Sequence, residues 1–216
     1  MKTKHLIVIF GLLLFQSCIV KSLNPFYTQD VVQFSEDFVG EWRDNNNDSW
    51  KIVPTKKEYE RQKQKEGELS KEDKAFFETY KNSYLVEYSD NAKTSYFIAT
   101  PFKINNQFFL DFIPYSNDGK GVNSLLQIHN VYAHSLVKLD VLNSSKISIK
   151  WFDEKRLKKL FDERRIKIKH EKIGVMKEDI LLTASSKELL QFLKKYMASD
   201  AAKKWETETK FTLNKS

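Results

Sequence analysis

Tyr96-Phe97-Ile98-Ala99-Thr100-Pro101-Phe102-Lys103-Ile104-Asn105-Asn106-Gln107-Phe108-Phe109-Leu110-Asp111-Phe112-Ile113-Pro114 is the stretch that decides the fold. Two apolar runs of strand length flank Asn105-Asn106, a residue pair suited to a tight hairpin turn. Tyr96, Ile98, Phe102 and Ile104 fall on one face of the first run, and Phe108, Leu110 and Phe112 on one face of the second. Pro101 cannot donate to a ladder, so it implies an edge position or a bulge. Working outward, Tyr84, Val86 and Tyr88 alternate upstream. Downstream, Asn143-Ser144-Ser145 turns the chain into Ile147, Ile149 and Trp151. Leu126 and Ile128 are apolar at even positions, whereas Val131, Ala133, Val137, Leu139 and Val141 are apolar at odd ones. That parity change, near His129, implies a bulge or turn. Nearer the N-terminus, Asp37 to Trp42 opens a first strand, and the turn-rich Asp44 to Asp48 leads to a second over Ser49 to Val53.

Helical patterns interrupt this β-rich chain twice. Lys56 to Lys81 holds eight basic and seven acidic residues, with Ala75, Phe76 and Tyr80 at helical spacing behind Ser70 and Asp73. It predicts two helical pieces separated near Gly67, with balanced charges suited to a solvated surface. The C-terminal region, 153–205, is predicted helical over Asp153 to Arg165 and again after Ser185. There Ser185 and Glu188 form a capping box ahead of Leu189, Phe192, Leu193 and Tyr196. An extended piece (Ile166 to Ile173), Ile180 to Ala184, and a closing strand over Thr207 to Leu213 complete a mainly-β, α+β pattern.

The N-terminus carries Lys2 and Lys4, an apolar run from Leu6 to Phe15, small Ser17 and then Cys18, the chain's single cysteine. Ten apolar residues suit a secretory leader and fall short of the ~20 that span a bilayer. Residues 1–17 are therefore expected to be a lipoprotein signal peptide and Cys18 to be lipidated with palmitate-type acyl chains. The protein would then be held at the outer membrane, facing the periplasm, by more than one acyl chain. Residues 18–35 would form anchor and extended arm, and 36–216 a single domain. Losing the leader removes two lysines and lowers the formal net charge from +7 to +5. With Cys18 lipidated, no disulfide or thiolate metal site remains, and nucleic acid is no partner for an exported chain. No cofactor motif and no catalytic motif is found.

Gly40-Glu41-Trp42, Phe109-Leu110-Asp111-Phe112-Ile113-Pro114 and Ile180 to Leu189, in this order behind Cys18 and an Asn24-Pro25-Phe26-Tyr27-Thr28 arm, resemble a group of lipocalin-like bacterial lipoproteins of unassigned function. The resemblance implies a lipocalin-like antiparallel β-barrel followed by helices, and no reaction. Gly-x-Trp on the first strand is similar to that of true lipocalins. Here Arg43 replaces the expected aromatic, and Lys210 is the nearest base on the closing strand.

A ligand would be small and apolar or amphipathic, with Trp42, Tyr84, Tyr96, Phe108 and Phe112 as pocket walls; the same residues equally fill a solid barrel. The run Lys155 to Lys172 holds nine Lys or Arg against three acids. Lys155, Arg156, Lys158, Lys159, Arg164 and Arg165 would form a basic surface for an anionic envelope partner, protein or polymer, or simply a solvated helix face. Asp111, set between Leu110 and Phe112, needs a partner if buried. His129 and His134 stand five apart, so an unbroken strand sends them to opposite faces. An enzyme built around Asp111 and one histidine is the third reading, and the default is a structural role for each. Ser185 is explained by its cap. A non-enzymatic binding module is the leading expectation.

Overall fold

The computed structural model of the chain describes residues 19–90, 93–117, 132–199 and 204–216. Cys18 and its leader, His129, and the parity change with Leu126, Ile128 and Val131 lie outside the described residues. In chain order the elements begin with β1 (Lys21–Ser22), β2 (Gly40–Arg43) and β3 (Ser49–Pro54). The charged insert follows as α1 (Thr55–Glu66) and α2 (Lys71–Tyr80). Then come β4 (Tyr84–Asp90), β5 (Lys93–Ile104), β6 (Gln107–Asn117), β7 (His134–Asn143) and β8 (Lys146–Trp151). The last part is α3 (Glu154–Asp162), β9 (His170–Ile173), β10 (Asp179–Leu182), α4 (Ser186–Ala198) and β11 (Lys210–Lys215).

β2 to β8 run as an antiparallel meander, and β11 closes the circle by pairing with both β8 and β2. The result is a lipocalin-like barrel of eight antiparallel strands. The Asn105-Asn106 hairpin is present, with Asn105 at φ 52° as such a turn demands. Closing strand β11 begins three residues later than the pattern implied, at Lys210.

Each strand sends alternate residues inward. Trp42, Trp50, Ile52, Tyr84, Val86, Leu110, Phe112, Val137, Ile147, Ile149, Trp151 and Leu213 belong to one buried cluster, the barrel interior. Rings meet across it: Trp50 lies 5.2 Å from Phe211, Phe211 5.9 Å from Trp151, and Trp151 5.4 Å from Phe112. One end is plugged by Phe38, which sits edge-on to Tyr84 and whose carbonyl accepts from Trp42 Nε1 at 3.1 Å. Gly40, between Phe38 and Trp42, stands at φ 141°, a backbone conformation that disfavours a side chain.

A second buried cluster forms outside the barrel. Phe102, Ile104, Phe109 and Leu136 face outward from β5 to β7 and are covered by Phe26 and Tyr27 of the arm and by Leu157, Leu189 and Leu193 of the helices. The arm is thus part of the fold rather than a tether. Its β1 pairs antiparallel with the start of β7 and parallel with β10, which pairs in turn with β9. Pro101 sits beyond the last β4 pairing, at Ala99, where the arm replaces β4 and Gln33 N–H donates to the Pro101 carbonyl. This is the edge position that its missing N–H requires. The bulge in this hairpin lies elsewhere, between Tyr96 and Phe97.

Candidate functional site

Register settles where the expected pocket walls point. Trp42, Tyr84 and Phe112 are buried inside the barrel, and Phe108 faces inward near its turn end with Lys103 Nζ 4.9 Å from its ring. Tyr84 is committed at its hydroxyl, which donates to the Ser35 carbonyl at 2.6 Å. Tyr96 is a correction: it pairs with Glu87 on the outer face, and Phe97 takes the inward position. On the closing strand the base beside Trp42 is Lys215, not Lys210. Lys215 pairs with Trp42 in register and holds its Nζ 5.4 Å from the indole.

The open volumes described here lie outside the barrel. The larger is a groove of about 830 Å³ between the end of α3, the link 165–169, His170 and α4. Phe161, Ile166, Ile168 and Phe192 give it apolar walls, while Arg165, Lys167, Lys169 and Lys195 stand along it with Glu188 as the one acid. The local sequence builds this directly. Asp153 caps α3 by accepting from the Arg156 amide at 2.9 Å, and α3 then turns Leu157 and Leu160 onto the core. Arg164 ends the helix at φ 53°, redirecting the chain into the link. Ser185 caps α4 as expected, its hydroxyl accepting from the Glu188 amide while the Glu188 carboxylate accepts from the Ser185 amide. The His170 ring lies tilted against Phe161, with ring centres 4.1 Å apart.

The basic run does not form one uniform surface. Lys158 is spent on the buried carboxylate of Glu154 at 3.0 Å, which also accepts from the Ile180 amide. Lys159 and Arg165 flank Glu163, and Lys155 reaches Glu208 at 3.8 Å. Arg156 packs inward against Tyr196 and bonds its hydroxyl. Of the six basic residues expected to act together, Arg165 alone lines the groove; the others named there, Lys167, Lys169 and Lys195, come from the link and from α4.

Asp111 and His134 are brought together. Asp111 pairs with Leu136 across the β6–β7 ladder, so His134, two residues before Leu136, shares its outer face. The His134 Nδ1 lies 2.5 Å from one Asp111 oxygen, and the other oxygen accepts the Phe26 amide at 2.8 Å. Burial pushes the Asp111 carboxyl above the usual carboxylate range, against the opposing pull of His134 and the Phe26 amide. Asp111 is 2% and His134 7% exposed. One carboxylate oxygen thus ties the arm to the barrel wall, and the other is held by His134 within that wall. Among the described residues, no group of three or more His, Cys, Asp or Glu is placed to hold a metal.

The smaller volume, about 250 Å³, lies between the insert helices and the outer wall at Leu85 and Ile98. The insert's charges, balanced in sequence, separate there: Glu58, Glu72 and Asp73 line the pocket and no Lys or Arg does. Among the described residues no helix is long and apolar enough to cross a membrane. Comparison with protein-family models, curated proteins and solved structures gives no match.

Proposed function

We propose that the protein is an envelope lipoprotein whose helical outer layer, rather than its barrel lumen, binds a single-chain anionic amphiphile. One observation carries this reading: the α3–α4 groove combines apolar walls with four cationic side chains against one acid. A groove of about 830 Å³ falls within the ~300–1,000 Å³ typical of ligand pockets. An alkyl chain along Phe161, Ile168 and Phe192 would be desolvated, at roughly 0.8 kcal/mol per buried methylene. Arg165, Lys167 and Lys195 would meet a carboxylate or phosphate head.

The envelope location rests on the leader and Cys18, and places the groove among membrane lipids and their breakdown products. The mass of the exported full chain, compared with the sequence, tests the anchor separately from the ligand. The ligand is tested by titrating the chain with dodecanoate, dodecyltrimethylammonium and dodecyl maltoside, which share one tail and differ in head charge. Saturable one-to-one binding of dodecanoate, weakened by Phe192→Asp, is the expected result. Equal binding of all three, or binding that Phe192→Asp leaves unchanged, would sink the reading.

A further inference from the structure

The hairpin of β9 and β10 ends in a turn whose corner residues contradict the usual chemistry of turns. The Lys177 amide donates to the Gly174 carbonyl at 3.1 Å, which puts Val175 and Met176 at the two corners. Gly, Pro, Asn, Asp and Ser ordinarily fill such positions. Gly174 enters the turn at φ 90° and Lys177 leaves it at φ 55°. The Glu178 carboxylate accepts the Met176 amide at 2.8 Å and so holds the turn's own backbone. Val175 is 97% exposed and Met176 83%, the highest values of any large apolar side chain among the described residues. Two adjacent apolar side chains held open to water in a fixed turn mark a contact surface.

Strand direction says what faces them. β1 runs parallel to β10, with Lys21 opposite Leu181 and Ser22 opposite Leu182. The residues that precede each strand therefore stand at the same end. Before β10 these are the turn, and before β1 it is Ile19, the residue that follows Cys18. The hairpin ladder ends at the Asp179–Ile173 pair, so the corners project up to about 10 Å past it. Lys172 and Lys177 are exposed on either side of the apolar pair. Of the nearby acids, Glu178 is turned onto the Met176 amide, Asp179 is half-buried and Glu171 lies further down β9.

We propose that the Val175–Met176 turn is a second membrane contact, seated in the head-group layer of the bilayer that holds the anchor. An apolar tip between lysines, whose stems can be buried while their ammonium groups stay at the phosphates, is the composition of an interfacial contact. A lipid surface is the occupant because the tip stands at the end from which the anchor leaves. Two contacts fix the orientation of the domain where one would let it swing. His170, which opens β9, is also a wall of the α3–α4 groove, so the groove is held within roughly 13 Å of the turn along the strand. The proposal rests on the anchored reading above, and its test reports on the two separately.

The test uses the full chain isolated from the envelope and placed in vesicles of phosphatidylethanolamine and phosphatidylglycerol, brominated near the head of their acyl chains. Val175→Trp adds an indole at an exposed corner, with the parent's own tryptophans as background. Its emission should shift to the blue and be quenched several-fold more than that of the parent. Asn46→Trp, in the exposed turn between β2 and β3, should gain no quenching. Met176→Asp added to Val175→Trp should abolish most of the gain while leaving the urea midpoint where it was, since both corners are exposed. The mass of the same preparation reports the anchor. Acyl mass on Cys18 with an unquenched Val175→Trp overturns the tip and leaves the anchor. A bare mass with quenching at saturating vesicles overturns the anchor and leaves the tip. The tip is overturned whatever the mass if Val175→Trp is unquenched, if Val175→Trp and Asn46→Trp are quenched equally, or if Met176→Asp leaves the quenching intact.

Discussion

The inside and the outside of this barrel use aromatic side chains in opposite ways. Inside, Trp50, Phe211, Trp151 and Phe112 touch in sequence and fill the space between the walls. Outside, Phe161 and Phe192 on one flank, and Tyr59, Phe76 and Phe77 on the other, are separated by clefts that helices bridge without closing. The two clefts differ in turn: one is rimmed by cations and the other by carboxylates. Buried aromatic packing is thus concentrated in the lumen, while the recognition we propose falls to the layer that the helices and the arm add to it.

The sharpest way to break that contrast is to empty the lumen. Trp151→Ala removes a buried ring in contact with Phe112 and Phe211, together with the hydrogen bond from Nε1 to Ser135 Oγ at 3.3 Å. A loss of about 3–5 kcal/mol in urea unfolding is expected. A loss under about 1 kcal/mol would mean that the interior already has room, and would return the ligand to the barrel.

Next in size is the tie between arm and wall. Asp111→Ala strands the Phe26 amide and the His134 ring in a buried place, costing about 2–3 kcal/mol. The arm should then be cleaved by protease while the barrel persists. Asp111→Asn, which can still accept the Phe26 amide, should cost less. If both variants unfold as one unit with no early cleavage of the arm, the arm is no separate layer.

Why the sequence disclosed one layer and not the other follows from particular residues. The alternation in β3, β4 and β8 was readable because polar residues mark most outward positions, as Lys51 and Glu87 do. β5 has apolar side chains on both faces, since the outer layer covers it. Alternation there finds two faces without saying which is inside, and Tyr96 was therefore assigned to the wall that Phe97 occupies. The caps at Ser70, Asp153 and Ser185 are local signals and were legible as helix starts. Asp111 was legible as an acid in need of a partner. That His134 supplies it depends on register across the long β6–β7 connection, which no local pattern encodes. Each cleft is walled by several successive elements whose packing brings their side chains round one space: α3, the link and α4 for the groove, and α1, α2 and the outer faces of β4 and β5 for the pocket. Charge counted along the chain averages over just the separation that defines them.

A smaller effect distinguishes the layers by pH. Burial raises the phenol of Tyr27 to about 12, and burial likewise raises those of Tyr84, in the barrel, and Tyr88. A tyrosine whose folded pKa exceeds its unfolded value of about 10 holds its proton longer in the native state. Its contribution is therefore complete below pH 10 and is lost as pH rises through 10 to 12. Urea midpoints should be flat from pH 8 to 9.5 and fall beyond 10. Tyr27→Phe should remove part of that fall in the arm, and Tyr88→Phe part of it in the barrel. An unchanged alkaline slope in both variants would assign the loss to other groups.

The smallest expected change in stability carries the most information on recognition. Arg165→Glu with Lys195→Glu alters two cationic residues of the groove; Arg165 is half-exposed and pairs with Glu163, at 3.4 Å. Exposed pairs of this kind hold the fold together weakly, so unfolding should move by no more than about 0.5 kcal/mol. Dodecanoate affinity should nevertheless fall by about tenfold, or about 1.4 kcal/mol. Dodecyltrimethylammonium should gain where dodecanoate loses, because the apolar walls at Phe161 and Phe192 remain. If dodecyltrimethylammonium instead loses affinity together with dodecanoate, the substitutions have damaged the apolar walls rather than the charge, and the groove is not built for an anionic head.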